Sequence, residues 1–534
     1  MSSERSKFIL RVSTNYARLL CMVSMGILLV PLVLEGTTEI GFGLWGMLGA
    51  TAGFGDMFKE IVQTSMNREL GDAYHREDDT YFKKVINSAY IVSLSSTLFG
   101  VMIYAVIYLC IPLLNIEPEW AQTARTIVIF QGASSAVAIA AAPLFNLYIV
   151  SERMARYNAW LVLERFSYLL AAIIWIVLVP MDDPKETLLR FAMTGASIAV
   201  LVVCSAAIMM LCIDRRTIPK LSLADRVEMK KIVVTSGWNG VVSAALNLHI
   251  RLDQLLVNIW FGLAGNAVFV AAVRLSSYIR MVTIGMTDGL DVVAARMTSQ
   301  KQDTKLTSLL PRITKLHALV AIPAATVVYM YAPYLLDYWI GKQLSPDQLQ
   351  RCITTVRILI VGMCARSIAD GWVRVLYGAG YIKRYAPVIL LGGVLNPVTA
   401  CVLYLLMPAE LVPGSLWADV NAPAIAFASI FMTAHLLWLP RVVQRCVDVR
   451  PSALLKPIVR PALMGICIIA SGYTLINTLG VESLLMLAVN IATMGALCVA
   501  FFVTFGADKD DRVILGSLVG AVLRKLGISR AQGQ

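Results

Sequence analysis

Apolar residues along this chain come in long blocks rather than in the two-residue alternation of a half-buried strand. Block after block reaches the roughly 20 mostly apolar residues that a helix needs to cross a bilayer. Such runs lie at 16–34, 41–62, 86–113, 126–150, 158–180 and 188–212. A polar stretch at 214–231 interrupts them, and the series resumes at 232–260, 267–295, 316–340, 353–376, 387–407 and 423–439. Two more follow at 461–479 and 484–505. The pattern predicts an all-α polytopic membrane protein of about fourteen transmembrane helices: two six-helix lobes plus a C-terminal helix pair. The segments are an N-lobe at 1–213, a cytoplasmic linker at 214–231, a C-lobe at 232–446 and, at 447–534, the helix pair with an amphipathic tail. The tail carries Leu515, Leu518, Val519, Val522 and Leu526 on one stripe, as a helix lying in the membrane interface would.

Composition agrees. Hydrophobic residues make up 58% of the 534 and charged ones only 15%, against about 25% charged in soluble proteins; mean hydropathy is +0.71. A string of soluble domains, a disordered chain and a disulfide-stapled secreted module are excluded. The net charge of +12 needs no nucleic acid, because it follows topology. With a cytoplasmic N-terminus, alternate loops carry Arg68, Arg76, Lys83 and Lys84; Arg153 and Arg156; Arg215, Arg216, Lys220, Arg226, Lys230 and Lys231; Lys301, Lys305, Arg312 and Lys315; Lys383 and Arg384; Arg441, Arg445, Arg450 and Lys456. The opposite loops are nearly free of cations, with Arg125, Lys185, Arg190, Lys342 and Arg351 as exceptions. One misplaced helix would invert every later loop, so count and orientation support each other, and both termini are expected in the cytoplasm. The charged start at 1–11 precedes an apolar run long enough to span, with no small-residue cleavage site, so the first helix is expected to stay.

Common chemistries find no footing. The ten cysteines lie mostly in apolar helices and form no C-x-x-C pair; the four histidines form no H-E-x-x-H, and there is no phosphate-binding G-x-x-x-x-G-K-[ST] loop. Neither a metal nor a cofactor is expected. The outer loops are too short to hold catalytic carboxylates. Each lobe begins with a helix, a turn almost without charge and a second helix rich in small residues, at 41–56 and again at 265–291. Duplicated lobes of this kind place a transport site between them.

The helices themselves carry charge, which costs about 2.5–3.5 kcal/mol per group at mid-bilayer on insertion scales. Arg11, Asn15 and Arg18 share a face of helix 1, and Asp56, Lys59, Glu60 and Gln63 one of helix 2. Helix 5 has Glu164 and Arg165; helix 7 a stripe of Asn239, Ser243, Asn247, His249 and Asp253, with Arg251 beside it. Helix 8 has Arg274, Arg280, Asp288 and Asp291, and helix 10 has Arg366, Asp370 and Arg374 four apart. The last three neutralise one another in part as i, i+4 neighbours. Arg18, Arg274 and Arg280 have no acid within four residues; another helix, snorkelling or a ligand must meet their charge. Guanidinium groups suit phosphate, so Arg18, Arg274, Arg280, Arg251, Arg165 and Arg366 are the candidate cationic cavity. His249 with Asp253, and Asp288 with Asp291, are candidate coupling-ion groups.

Three segments resemble the polysaccharide-transporter (Wzx-like) branch of the multidrug/oligosaccharidyl-lipid/polysaccharide (MOP) flippase superfamily. Gly41-Phe42-Gly43-Leu44-Trp45 is similar to that family's Tyr-Gly-Leu-Trp opening of helix 2. Gly265 to Val273 is similar to the matching segment of the second lobe, with Phe269 near the expected Tyr, and Ala332 to Gly341 to the segment closing helix 9. The resemblance implies a MATE-like fold and a non-enzymatic flippase in the bacterial inner (cytoplasmic) membrane. It would move a polyprenyl-diphosphate-linked oligosaccharide to the outer leaflet by alternating access, for export of a surface polysaccharide. H⁺ or Na⁺ would be a coupling ion, and a polysaccharide polymerase and other assembly proteins partners. By helix position, relatives that handle lipid II point to Arg18 and Arg274. The rival readings are a cation-coupled efflux antiporter, which would want carboxylates and aromatics in its pocket, and a membrane enzyme of glycan assembly.

Overall fold

A computed structural model describes residues 2–504 apart from 77, 288, 289, 410, 411 and 503, with the backbone alone at 2–12, 52, 54–56, 58, 62, 65, 68, 235, 236, 239 and 292. The amphipathic tail, Asp288 and the side chains of Arg11, Asp56 and Asn239 therefore lie outside the described residues. Among those described there is no strand, and twelve helical spans are long and apolar enough to cross a membrane.

In chain order the helices are α1 (Ser2–His75), α2 (Asp79–Cys110), α3 (Ala121–Ala140), α4 (Ala142–Val150), α5 (Met154–Ala172) and α6 (Pro184–Ile213). Then come α7 (Arg226–Thr287), α8 (Leu290–Ser299), α9 (Asp303–Ile340), α10 (Pro346–Gly378), α11 (Ile382–Leu406), α12 (Ala422–Ile430) and α13 (Leu439–Val447). The last pair is α14 (Pro451–Leu479) and α15 (Leu484–Phe501). Helix α5 runs on into a π-helical turn at Ile173–Leu178, and α12 joins α13 through another at Phe431–Trp438. Pairing every backbone group inside its own segment is what a dry bilayer demands.

Two of these helices, α1 with 74 residues and α7 with 62, are long enough to cross a membrane twice. Each holds one residue far from helical geometry: Thr38 in α1 (φ 62°, ψ 176°) and Gly262 in α7 (φ 67°, ψ −170°). Helix α5 shows what happens at Thr38. Asn158 Nδ2 donates to Asn15 Oδ1 at 2.8 Å and to Thr14 Oγ1 at 3.2 Å, while Glu164 accepts from Lys59 Nζ at 3.1 Å. Residues 158 and 164 are about 9 Å apart on one helix, whereas 15 and 59 would be about 66 Å apart on a straight one. The chain therefore doubles back at Thr38. Helix α7 does the same at Gly262. His249 packs on Phe431 (4.6 Å between ring centres), Phe431 carries Arg366 of α10 (5.4 Å), and Asp370, one turn along α10, pairs with Arg280 at 2.6 Å. A straight α7 would hold 249 and 280 about 46 Å apart. With these two reversals the twelve spans are compatible with fourteen crossings.

The reversals meet backbone to backbone. Gly43 lies so close to the Leu263 carbonyl that a Cβ would overlap it, and Asn266 Nδ2 donates to Gly43 O at 2.9 Å. Around this point the largest apolar core gathers Leu44 and Met47 from α1 with Leu263 and Ala267 from α7, and α1 with α7 is the most extensive helix contact in the molecule. Two of the segments singled out in the sequence thus owe their small and polar residues to this crossing. In the third, Trp339 Nε1 donates to Ile27 O at 2.7 Å, tying the end of α9 to the first half of α1.

Thr38 occupies backbone space that is almost reserved for glycine, at a cost of about 1–3 kcal/mol. Glycine gives back up to about 1 kcal/mol in the unfolded chain. Thr38→Gly is therefore expected to raise the melting temperature in detergent slightly. Gly262→Ala should lower it, although a Cβ there has room (Asn115 Nδ2 at 3.9 Å is the nearest atom). A steric origin would instead leave Gly262→Ala neutral.

Candidate substrate-binding site

The charged residues of α1, α5, α7 and α10 converge on one space between the two reversed helices. Arg274 is 12 residues past the Gly262 turn, about 18 Å along the helix. That is near the middle of a hydrocarbon core roughly 30 Å thick. Its side chain is exposed. Among the described residues no carboxylate pairs with it; its electrostatic neighbours are Tyr278 and another cation, Arg165 of α5. Arg165 is likewise exposed and sits beside Glu164.

Below this pair, on the side of the basic loops, the space is crossed by ion pairs. Lys59 holds Glu164 at 3.1 Å. Tyr157 senses Arg18, Glu164 and Glu60. Arg18 is about 30 Å along the helix from the Thr38 turn, half-buried, with its Nε lacking a protein acceptor. Glu60 reaches across electrostatically to Arg366 of α10, linking the first half of the chain to the second.

Of the three ways the sequence left open for the charge of Arg280, the structure shows another helix: Arg280 lies about 27 Å past Gly262, and its Nε donates to Asp370 Oδ2 at 2.6 Å. The i, i+4 neutralisation expected within α10 is redirected. Asp370 bonds Arg280, while Arg366 is buried, lies over the Phe431 ring and has its Nε without a protein partner. Arg374 is exposed within electrostatic reach of Asp370.

The polar stripe expected on helix 7 is in fact two faces, because residues two apart on a helix point nearly oppositely. Asn247 and Arg251 face α1: Arg251 Nε donates to Asn247 Oδ1 at 2.5 Å and Nη1 to the carbonyls of Gly49 and Ala50 at 3.3 and 3.4 Å. A side chain on Gly53 would occupy the space of this guanidinium. Arg251 is thus committed to backbone oxygens at the lobe contact. His249 and Asp253 face the other way, into the second half. Asp253 Oδ1 accepts from Asn396 Nδ2 at 2.8 Å, and the same nitrogen donates to His249 O at 3.0 Å. His435 lies 5.7 Å from the His249 ring. His249 Nδ1 and Nε2, Asp253 Oδ2 and His435 Nε2 have no protein partner. Asp291 is on α8, half-buried, with its backbone carbonyl against Gly378; it joins neither group.

Sequence reading missed Tyr278, Tyr157, Asn396 and His435. Tyr278 was findable, four residues from Arg274 on the same face. The other three are brought in by distant helices and carry no local signal. No group of three or more metal-ligating side chains occurs among the described residues.

No protein-family model matches the chain, and no curated protein matches it. Solved structures do. The lipid II flippase MurJ in an inward closed conformation is similar over 92% of this chain and 98% of its own, with a TM-score of 0.70 at 10% identity. A multidrug resistance MATE family transporter of the MOP superfamily, outward-facing, is similar over 84% of this chain and 96% of its own (TM-score 0.59, 14% identity). A MOP superfamily transporter from Pyrococcus furiosus is similar over 80% and 96% (0.52, 12%). The chain has the all-α, polytopic MOP/MATE-like fold. The sequence resemblance implied this fold, and the similar structures bear out the fold.

Proposed function

We propose that this protein is a non-enzymatic flippase, moving a polyprenyl-diphosphate-linked oligosaccharide from the cytoplasmic to the outer leaflet of a bacterial inner membrane, in the manner of the Wzx-like branch. The observation that carries the reading is Arg274: an exposed guanidinium about 18 Å past the Gly262 turn, beside a second cation and with no carboxylate paired to it among the described residues. A permanent charge left this way needs an anion, and the planar fork fits a diphosphate. An efflux pocket for organic cations would be disfavoured there by repulsion.

In this reading Arg274 and Arg165 receive the diphosphate, and Arg18 guides it at the cytoplasmic mouth. The Arg280–Asp370 pair, with Arg366, forms the wall of the second half. The prenyl tail stays in lipid while the halves at 1–213 and 232–446 rock about the Gly43–Leu263 crossing. The cluster of His249, Asp253 and Asn396 is the place for a coupling ion, because it is buried and its free polar atoms point inward. Its position in the second half, away from Arg274, separates ion and lipid.

The test is reconstitution in liposomes with a fluorescent polyprenyl-diphosphate disaccharide, reading transfer to the opposite leaflet. Transfer above that of empty liposomes is expected, and an organic cation dye should not be carried. Dye transport without lipid transfer would replace this reading with the efflux one.

A further inference from the structure

Away from the lobe interface, the linker 214–231 builds a second cationic site. A cavity of about 240 Å³ opens between the start of α2 and the linker, lined by Lys83, Arg215, Arg216, Lys220, Ile218 and Leu223. It is smaller than the roughly 300–1,000 Å³ of pockets for drug-sized ligands.

Its walls are fixed by the fold. Tyr90 on α2 donates to Thr217 O at 2.7 Å; Asn87 Oδ1 accepts from the Lys220 amide at 2.6 Å; Asp225 and Ser88 bond each other through backbone and hydroxyl. Arg216 is saturated. It donates to Asp214 at 2.7–3.2 Å and to Asp79 at 2.7 Å, and it lies over the Tyr74 and Phe82 rings. Its two carboxylate partners hold its proton more firmly than usual. Those carboxylates are consequently spent on Arg216. Lys83, Arg215 and Lys220 are left with no carboxylate paired to them among the described residues.

The surroundings say what kind of anion fits. The cavity sits where α2 begins and α6 ends, at the end of these spans that carries the basic loops. On the same short segment Ile218 (47% exposed), Leu221 (47%) and Leu223 (40%) turn apolar side chains outward. Water alone would not reward that exposure; acyl chains would.

We propose that this linker cavity binds the phosphate of an anionic phospholipid of the adjoining leaflet, with Lys83, Arg215 and Lys220 around the headgroup and the apolar residues at 218–223 against its chains. The linker that joins the two halves would then be anchored to the bilayer through a lipid. Binding there does not require transport, so it stands or falls apart from the flippase reading.

The test uses the purified full chain in detergent, with dihexanoyl phosphatidylglycerol as probe and dihexanoyl phosphatidylcholine and inorganic phosphate as comparison arms. Saturable binding of phosphatidylglycerol is expected, with the other two at least about tenfold weaker. The Lys83→Gln/Arg215→Gln/Lys220→Gln variant should lose about tenfold or more. Lys301→Gln/Lys305→Gln/Arg445→Gln, which removes as much charge from other basic loops, should bind normally. Should the triple linker variant fold poorly, Lys83→Gln and Lys220→Gln are measured singly, each with a severalfold loss expected. An equal loss in the control variant, inorganic phosphate binding as tightly as the lipid, or no lipid binding at all would each overturn the proposal.

Discussion

Arg274→Ala is expected to lower lipid transfer in liposomes by about 10- to 100-fold, because each charge-assisted hydrogen bond to a phosphate is worth about 1.5–3 kcal/mol. Arg274→Lys should recover part of this: it keeps the charge but not the two-pronged geometry. The fold should tolerate both, since Arg274 pairs with no carboxylate among the described residues and its side chain is accessible. Removing one of two neighbouring cations even relieves repulsion with Arg165, so the melting temperature should hold or rise. Transfer at the wild-type rate in Arg274→Ala, at equal protein level, would remove the diphosphate from this site.

Asp370→Ala should act in the opposite way, on folding before function. Asp370 is the carboxylate that pairs with Arg280, and Arg366 and Arg374 are within its electrostatic reach. The pair is partly buried, and breaking it from one side strands the partner's charge; the cost of about 3–5 kcal/mol for a fully buried pair is the upper bound. The melting temperature is expected to fall by several degrees, with poor recovery from the membrane. Removing both partners, Arg280→Met with Asp370→Leu, restores the net charge of the wild-type cluster. Most of the stability should then return, as for other buried pairs replaced by apolar groups. A double variant as unstable as Asp370→Ala would mean that the pair is not what holds these helices together. If the double variant folds and still transfers lipid, Arg280 belongs to the wall and not to the substrate contact.

The two effects separate residues that looked alike along the chain. Arg274 and Arg280 each lack an acid within four residues, and on that ground both were candidates for ligand contact. The acid that meets Arg280 lies 90 positions away, on α10, beyond any local rule. Conversely, Asp370 has arginines four residues away on each side of its own helix and still turns to α7. Long-range pairing of this sort is set by which helix faces meet. Periodicity gave those faces only in part: it put 247, 249, 251 and 253 on one polar helix but did not divide them into a face toward α1 and a face toward α11. The helices themselves were legible because twenty apolar residues in a row leave few alternatives. Both reversals were readable as breaks between apolar runs, at 34–41 and 260–267; that Thr38 is the residue with positive φ was not, because a β-branched residue almost never takes that backbone conformation. The short segments beginning at Gly41 and Gly265 were readable for a physical reason. They form the point where the two reversals touch and where only small or hydrogen-bonding residues fit.

The most direct measurement is water access at position 274. In a chain with its native cysteines replaced, Arg274→Cys would be exposed to a membrane-impermeant maleimide in sealed inverted vesicles, with and without polyprenyl-diphosphate disaccharide. Fast labelling from the cytoplasmic side, slowed when an arginine is retained at 165 and the lipid-linked sugar is added, is the expected result. A thiol that stays unmodified in a folded protein would mean a dry, packed interior at 274 and would contradict the account.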